Sequence, residues 1–147
     1  MNNSLVFTVY GIPGAQGSKR YVGRGIMVES SKKVKPWRQD IRYTALDIKP
    51  ADWDTSVPMA LSVVFLFQRP KSHYAKKGLR STAPTHCTSA SLGDIDKLLR
   101  STNDALTGIL FDDDRQVVSV NAQKRYCVGT EQPGALIVLT ALTPNAS

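Results

Sequence analysis

A change of apolar periodicity in the second half of the chain limits its folds more than any other feature. Ile95, Leu98, Leu99, Thr102, Ala105, Leu106 and Ile109 form one stripe at helical spacing, with Asp96, Arg100 and Asn103 on another face. Asp94 stands where a helix is capped and Gly108 where one ends. The helix predicted over 94–107 lies between two strands. One is the run MALSVVFLFQ at 59–68, rich in Val and Phe and closed by Pro70; the other is predicted over 116–124. Elsewhere, SLVFTVY at 4–10 reads as a strand. A helix is predicted from Lys35 to the stop at Pro50, with Pro36 at its first position and Trp37, Ile41, Thr44, Ala45 and Ile48 at helical spacing. A last strand over 135–142 follows the turn at Pro133-Gly134.

The order β, α, β, loop, α, β, β implies an α/β (α+β) chain, with a mixed sheet of about four strands and two main helices. Its 147 residues, 41% of them hydrophobic, suit one small domain over 1–147 with a single core and exclude a disordered chain. Residues 69–92 are expected to form a basic flexible loop, and 143–147 a frayed tail. The opening MNNSLVFTVYG lacks the positive region of a signal peptide, and the apolar runs are too short to span a bilayer. The expectation is a soluble, cytoplasmic protein that makes no use of a membrane. Cys87 and Cys127 are too few for a disulfide scaffold and are not spaced as a metal knuckle.

The chain carries +7, which favours a polyanionic partner. The distribution of that charge says more than its total. Between 94 and 114 six acids (Asp94, Asp96, Asp104, Asp112, Asp113, Asp114) face only Lys97 and Arg100, a local −4 inside a chain that is otherwise +11. From Thr55 to Gly93 there is no acid, while Arg69, Lys71, Lys76, Lys77 and Arg80 fall within twelve residues. A second basic region holds Lys19, Arg20, Arg24, Lys32, Lys33, Lys35 and Arg38. A protein that only gripped phosphates would gain nothing from a carboxylate cluster near its ligand. One that also held a divalent metal against them would need it.

Asp94 and Asp96 at the start of the helix and Asp112, Asp113 and Asp114 before the next strand are therefore candidate metal ligands, if the chain brings them together. Carboxylates so gathered repel one another until a hard cation such as Mg²⁺ or Mn²⁺ neutralises them. A helix of this length separates its two ends by roughly 20 Å, so the meeting depends on how the following strand returns. The alternative reading is local: Asp at an N-cap is ordinary capping, an Asp triplet in a turn is often a solvated loop, and Arg100 beside Asp96 can be an i,i+4 ion pair.

Gly93-Asp-Ile-Asp-Lys-Leu-Leu-Arg-Ser-Thr-Asn-Asp-Ala-Leu-Thr-Gly108, followed by Phe111-Asp-Asp-Asp-Arg-Gln-Val-Val118, resembles the RusA-type Holliday junction resolvases. That family is marked by Asp-x-Asp-[Asn/Lys]-Leu opening a helix, Asp-Ala-Leu near its end, and Asp-Asp-x-Gln-Val at the next strand. Residues 94–98, 104–106 and 113–117 match these blocks in order. The Arg-Pro-Lys-Ser-His stretch at 69–73 and Lys124-Arg-Tyr126 resemble the phage-borne branch. The resemblance implies a homodimeric, Mg²⁺-dependent endonuclease (Mn²⁺ as a substitute) acting on four-way junctions and similar branched DNA. It puts the essential aspartates at Asp94, Asp96 and Asp114, with Asp113 beside the last, and the supporting base at Arg100. Two departures stand out: Leu92-Gly93 replaces the Lys-Pro often found before the first aspartate, and an arginine replaces a frequent lysine at 100.

Lys19, Arg20, Arg69, Lys71, Lys76, Lys77, Arg80 and Lys124 are the candidates for gripping DNA arms. His73 and His86 are read as polar surface groups, and Trp37 and Trp53 as core or interface residues. Tyr74, near lysines, could contact an unstacked base. The rival readings are a non-catalytic basic DNA-binding protein and a metal nuclease acting on other branched or duplex DNA.

Overall fold

The computed structural model describes residues 3–144 other than 18, 22, 24–26, 30 and 31, with the backbone alone at 19–21 and 27–29. Strands β1 (Ser4–Tyr10), β2 (Lys19–Tyr21) and β3 (Met27–Glu29) are followed by helix α1 (Val34–Ile48) and strand β4 (Met59–Phe67). Short strands β5 (Tyr74–Ala75) and β6 (Gly78–Leu79) precede α2 (Ile95–Leu106), β7 (Val117–Tyr126) and β8 (Gly134–Ala141). The α+β architecture read from the sequence holds: one mixed sheet in the order β1-β8-β4-β7, with two helices. β8 pairs antiparallel with both β1 and β4, whereas β4 and β7 run parallel.

Alternation builds the core. Met59, Leu61, Val63, Phe65 and Phe67 on β4, Phe7 and Val9 on β1, and Ala135, Ile137 and Leu139 on β8 are buried in one cluster with Trp37, Ile41 and Ala45 of α1 and Leu98, Ala105 and Leu106 of α2. Trp37 is thus a core residue, as the sequence implied. Trp53 packs against the same cluster, and its indole N–H donates to the Leu110 carbonyl at 2.8 Å. Parallel strands need a crossover, and α2 supplies it: β4 leads through the 68–94 segment into α2, which returns the chain to the start of β7.

Residues 69–92, expected as a basic flexible loop, hold a 3₁₀ turn at Lys71–His73, the β5–β6 hairpin and a second 3₁₀ turn at Ala90–Leu92. Short-range backbone bonds gave no apolar period by which the sequence could announce them. The β2–β3 hairpin was missed for the same reason. Of the predicted frayed tail, 145–147 lie outside the described residues.

The turn between β7 and β8 is closed electrostatically. Arg125 donates to both carboxylate oxygens of Glu131 at 2.7 and 2.8 Å, and the Val128 amide donates to the same carboxylate at 2.7 Å. The Arg125 bonds, then the Val128 amide, hold the Glu131 carboxyl at about 2. A carboxyl depressed on folding contributes stability that is complete above its unfolded value and lost as pH falls through the folded one. Glu131→Gln is therefore expected to flatten the acid limb of stability between about pH 4.5 and pH 2, as read from urea midpoints across that range.

Candidate active site

Asp94 occupies the N-cap position of α2, yet its carboxylate accepts no capping bond; its side chain is 69% exposed and lies 3.8 Å from the Lys97 ammonium. Asp96 follows in the first turn and is also exposed. Ordinary capping therefore does not account for Asp94. Nor does local pairing account for Arg100: among the described residues no ion pair within 4.0 Å joins it to Asp96.

The residue before the pair is held in a special conformation. Gly93 has φ +94°, and a Cβ there would drive into the Ala15 side chain. A proline, with φ fixed near −65°, is incompatible with that backbone, so the chain approaches Asp94 through a conformation that a Lys-Pro pair could not take. The Gly93 carbonyl accepts the Lys124 ammonium at 2.8 Å. Lys124, expected on the DNA arms, is thus half-buried at the mouth of α2, beside the acids, because β7 ends there.

That same bond fixes the direction of β7. Its Lys124 end meets the start of α2, so its Val117 end and the acids ahead of it lie at the far end of the helix. There the Asp112 amide donates to the Thr55 carbonyl just before β4, and the Gln116 amide side chain donates to the carbonyls of Thr55 and Val57. Twelve helical residues span about 18 Å, and seven strand steps from 117 to 124 about 23 Å. The strand does run back along the helix, but it carries Asp114 at its distant end. Within one chain, Asp94 and Asp96 share one end of the sheet and Asp114 occupies the other. Consistently, among the described residues no three His, Cys, Asp or Glu form a group able to hold a metal ion.

Of the acidic triplet, Asp113 serves its own turn. Its carboxylate accepts the Arg115 amide at 2.9 Å, while the Gln116 side chain accepts the Asp113 amide at 2.8 Å, a reciprocal capping box. The amide bond lowers the Asp113 carboxyl below the usual range. The local reading thus applies to Asp113, expected among the metal ligands: its carboxylate caps its own turn. Asp112 and Asp114 are exposed. Asp104, in the Asp-Ala-Leu block, accepts the Gln16 amide, which in turn accepts Arg38 at 3.0 Å, so it ties the 11–17 loop to both helices.

Among the described basic residues expected to grip DNA, Arg69 is the most buried. It is 9% exposed, with its guanidinium over the Tyr126 ring at 5.3 Å, donating to the carbonyls of Cys127 and Pro84 at 3.1 and 2.7 Å. An arginine so placed braces the 69–92 segment against the end of β7. Arg69→Ala leaves two carbonyls unpaired, at about 1–3 kcal/mol each. Its expected effect is a midpoint of thermal unfolding lower by roughly 5–10 °C, read by calorimetry. His73, predicted as a surface group, is half-buried and packs edge-on against Tyr126 at 4.8 Å. Lys71, Lys76, Lys77 and Arg80 are exposed, as a grip on phosphates requires. The side chains of Lys19 and Arg20 lie outside the described residues.

Sequence reasoning missed Lys97, which is the ion-pair partner of Asp94, and Gln16; the i,i+3 spacing from Asp94 would have found the first. Among the described residues no helix is long and apolar enough to cross a membrane.

Comparison with known proteins places the chain among its relatives. The chain is 28% identical over 138 residues to the uncharacterized protein YqaN of Bacillus subtilis (strain 168), an alignment covering 92% of this chain and 94% of that one. The profile of the Endodeoxyribonuclease RusA family matches residues 11–139, which include both acidic ends and the crossover between them. Matched over that length, the chain belongs to the RusA endodeoxyribonuclease family, a family of nucleases.

Proposed function

We propose that the protein is a Mg²⁺-dependent, structure-selective endonuclease that resolves four-way DNA junctions by paired symmetric nicks, and that it acts as a homodimer. The observation that carries this reading is the exposed Asp94-x-Asp96 pair, with Asp94 free of any capping bond, in a chain of the RusA family with net charge +7. The donor chemistry fits Mg²⁺, with Mn²⁺ as a substitute, since hard carboxylate oxygens leave further positions to water and phosphate. In number the set is short within one chain, because Asp114 stands at the other end of α2.

A two-fold axis crossing the middle of β7 removes the shortfall, since it lays the Asp114 end of one copy against the Asp94 end of the other. β7 is an edge strand of the sheet, and Val118 and Val120 on it are 63% and 46% exposed, which favours a covered edge. The axis would also set the acids of one copy against Lys97, Arg100 and Lys124 of the next. Each site would then consist of Asp94 and Asp96 with the partner's Asp114. When bound, Mg²⁺ supplies acidity to the attacking water and charge for the departing 3′-oxygen.

The rest falls to the chain. Arg100 and Lys97 place positive charge along the scissile phosphate. Lys124 holds the Gly93 carbonyl and so fixes the approach to Asp94. Lys71, Lys76, Lys77 and Arg80, with Lys19 and Arg20, grip the arms. A four-way junction has near two-fold symmetry, and two sites in one dimer make two matched nicks. The test incubates the protein with a synthetic four-way junction and with linear duplex, with and without Mg²⁺. Paired nicks confined to the junction and to Mg²⁺ are expected. Binding without nicks in Mg²⁺ would leave only a basic DNA-binding protein.

A further inference from the structure

The β5–β6 hairpin has a rigid root and an unpartnered tip. At the root, Arg69 is buried under Tyr126, the His73 carbonyl accepts the Arg80 amide at 2.9 Å, and Arg80 Nε donates to the Ser72 carbonyl at 3.2 Å. The Tyr126 amide donates to the Thr85 carbonyl, which fastens the returning limb to β7. At the tip, Tyr74 stands opposite Leu79 and Ala75 opposite Gly78, with Lys76 and Lys77 in the turn. Directly paired residues hold their Cβ atoms about 5 Å apart, so Tyr74 and Leu79 lie in one cross-strand pair. They are 48% and 50% exposed, a large apolar pair that the fold itself leaves uncovered.

The charge around this pair has one sign. Lys71, Lys76, Lys77 and Arg80 are exposed, and the sequence has no acid from Thr55 to Gly93. An apolar tip ringed by cations fits a polyanion that offers a flat apolar face. Along an intact duplex each base pair is covered above and below, so such a tip meets only phosphates. At a branch point the terminal pairs of the arms offer an open face. The 68–94 segment leaves the end of β4 and delivers the chain to α2, so the hairpin stands at the same end of the sheet as Asp94 and Asp96.

We propose that the 74–79 hairpin is a branch-point probe, in which Tyr74 and Leu79 stack on a base pair laid open at the DNA crossover while Lys76 and Lys77 hold the flanking phosphates. The inference rests on the junction-nuclease reading above and adds to it the element that tells a junction from a duplex. Affinities of the full chain for a four-way junction and for linear duplex, measured without divalent metal so that nothing is cut, test it across a salt series. Tyr74→Ala/Leu79→Ala is expected to weaken junction binding about tenfold or more while leaving duplex binding and the salt slope unchanged. Tyr74→Phe is expected to retain the preference, since it keeps the ring. Lys76→Gln/Lys77→Gln is expected to weaken both DNAs alike and to reduce the salt slope by about two.

A double-alanine variant that still prefers junctions as the wild type does, or that loses both DNAs equally, overturns the probe alone. A wild-type protein that binds neither DNA overturns the nuclease reading and the probe with it.

Discussion

Asp96→Asn is expected to bind a four-way junction as tightly as the wild type, or more tightly, and to leave it uncut. The two halves of that result have separate causes. Binding rests on the lysines and arginines that meet phosphate, and removing a negative charge from a DNA-facing surface reduces repulsion. Cutting, in the proposed mechanism, rests on the cation that the carboxylates would hold. Lewis-acid stabilisation by such an ion is worth several kcal/mol, and about 1.4 kcal/mol is a factor of ten, so nicking falls by roughly a thousandfold. The exchange changes one oxygen to nitrogen at an exposed position in the first turn of α2, so folding is not at stake. Gel-shift affinity and single-turnover nicking on the same junction check it. Normal nicking by Asp96→Asn in Mg²⁺ would remove Asp96 from the metal site.

The fold was legible because its main elements declare themselves by period. The α2 stripe and the alternating β4, whose Met59, Leu61, Val63 and Phe65 all face the helices, leave little freedom in where elements begin and end. Pro50 and Gly108 end helices for reasons that do not depend on the rest of the molecule. The segment from 69 to 92 was illegible because neither its short turn and hairpin bonds nor the few long-range bonds that fasten it follow an apolar period. Arg69 reads in the sequence as one more base in a basic run, and only the fold turns it inward, by placing Pro84, Cys127 and Tyr126 around it.

The site was half legible. Residue types and spacing pointed to Asp94 and Asp96, but a spacing of some twenty residues says nothing about which end of a strand meets a helix. The parallel pairing of β4 with β7 decides that, and pairing direction is not written in any local pattern. The same topology sets Lys124, a candidate for the DNA arms, at the mouth of α2. It also left the capping box to separate Asp113 from its neighbours, a distinction invisible in a run of three identical residues.

Mixing two dead variants, Asp96→Asn and Asp114→Asn, is expected to restore nicking. In a homodimer whose sites each draw Asp94 and Asp96 from one copy and Asp114 from the other, the mixed dimer carries both lesions in one site and none in its second. Random exchange at equal amounts makes half the dimers mixed, so about a quarter of all sites are intact. Each mixed dimer nicks one strand only, so the product on a junction is a single nick rather than two matched ones. Were the three aspartates of one chain to act together, every site in the mixture would carry a lesion, and no ratio of the two proteins would cut. The βαβ crossover already sets the two acidic ends about 20 Å apart, too far for one cation to touch both. Recovery on mixing, with Asp94→Asn plus Asp96→Asn as the control pair that stays dead because both lesions lie at the same end of α2, would therefore reveal where the third ligand comes from as well as how many subunits the reaction needs.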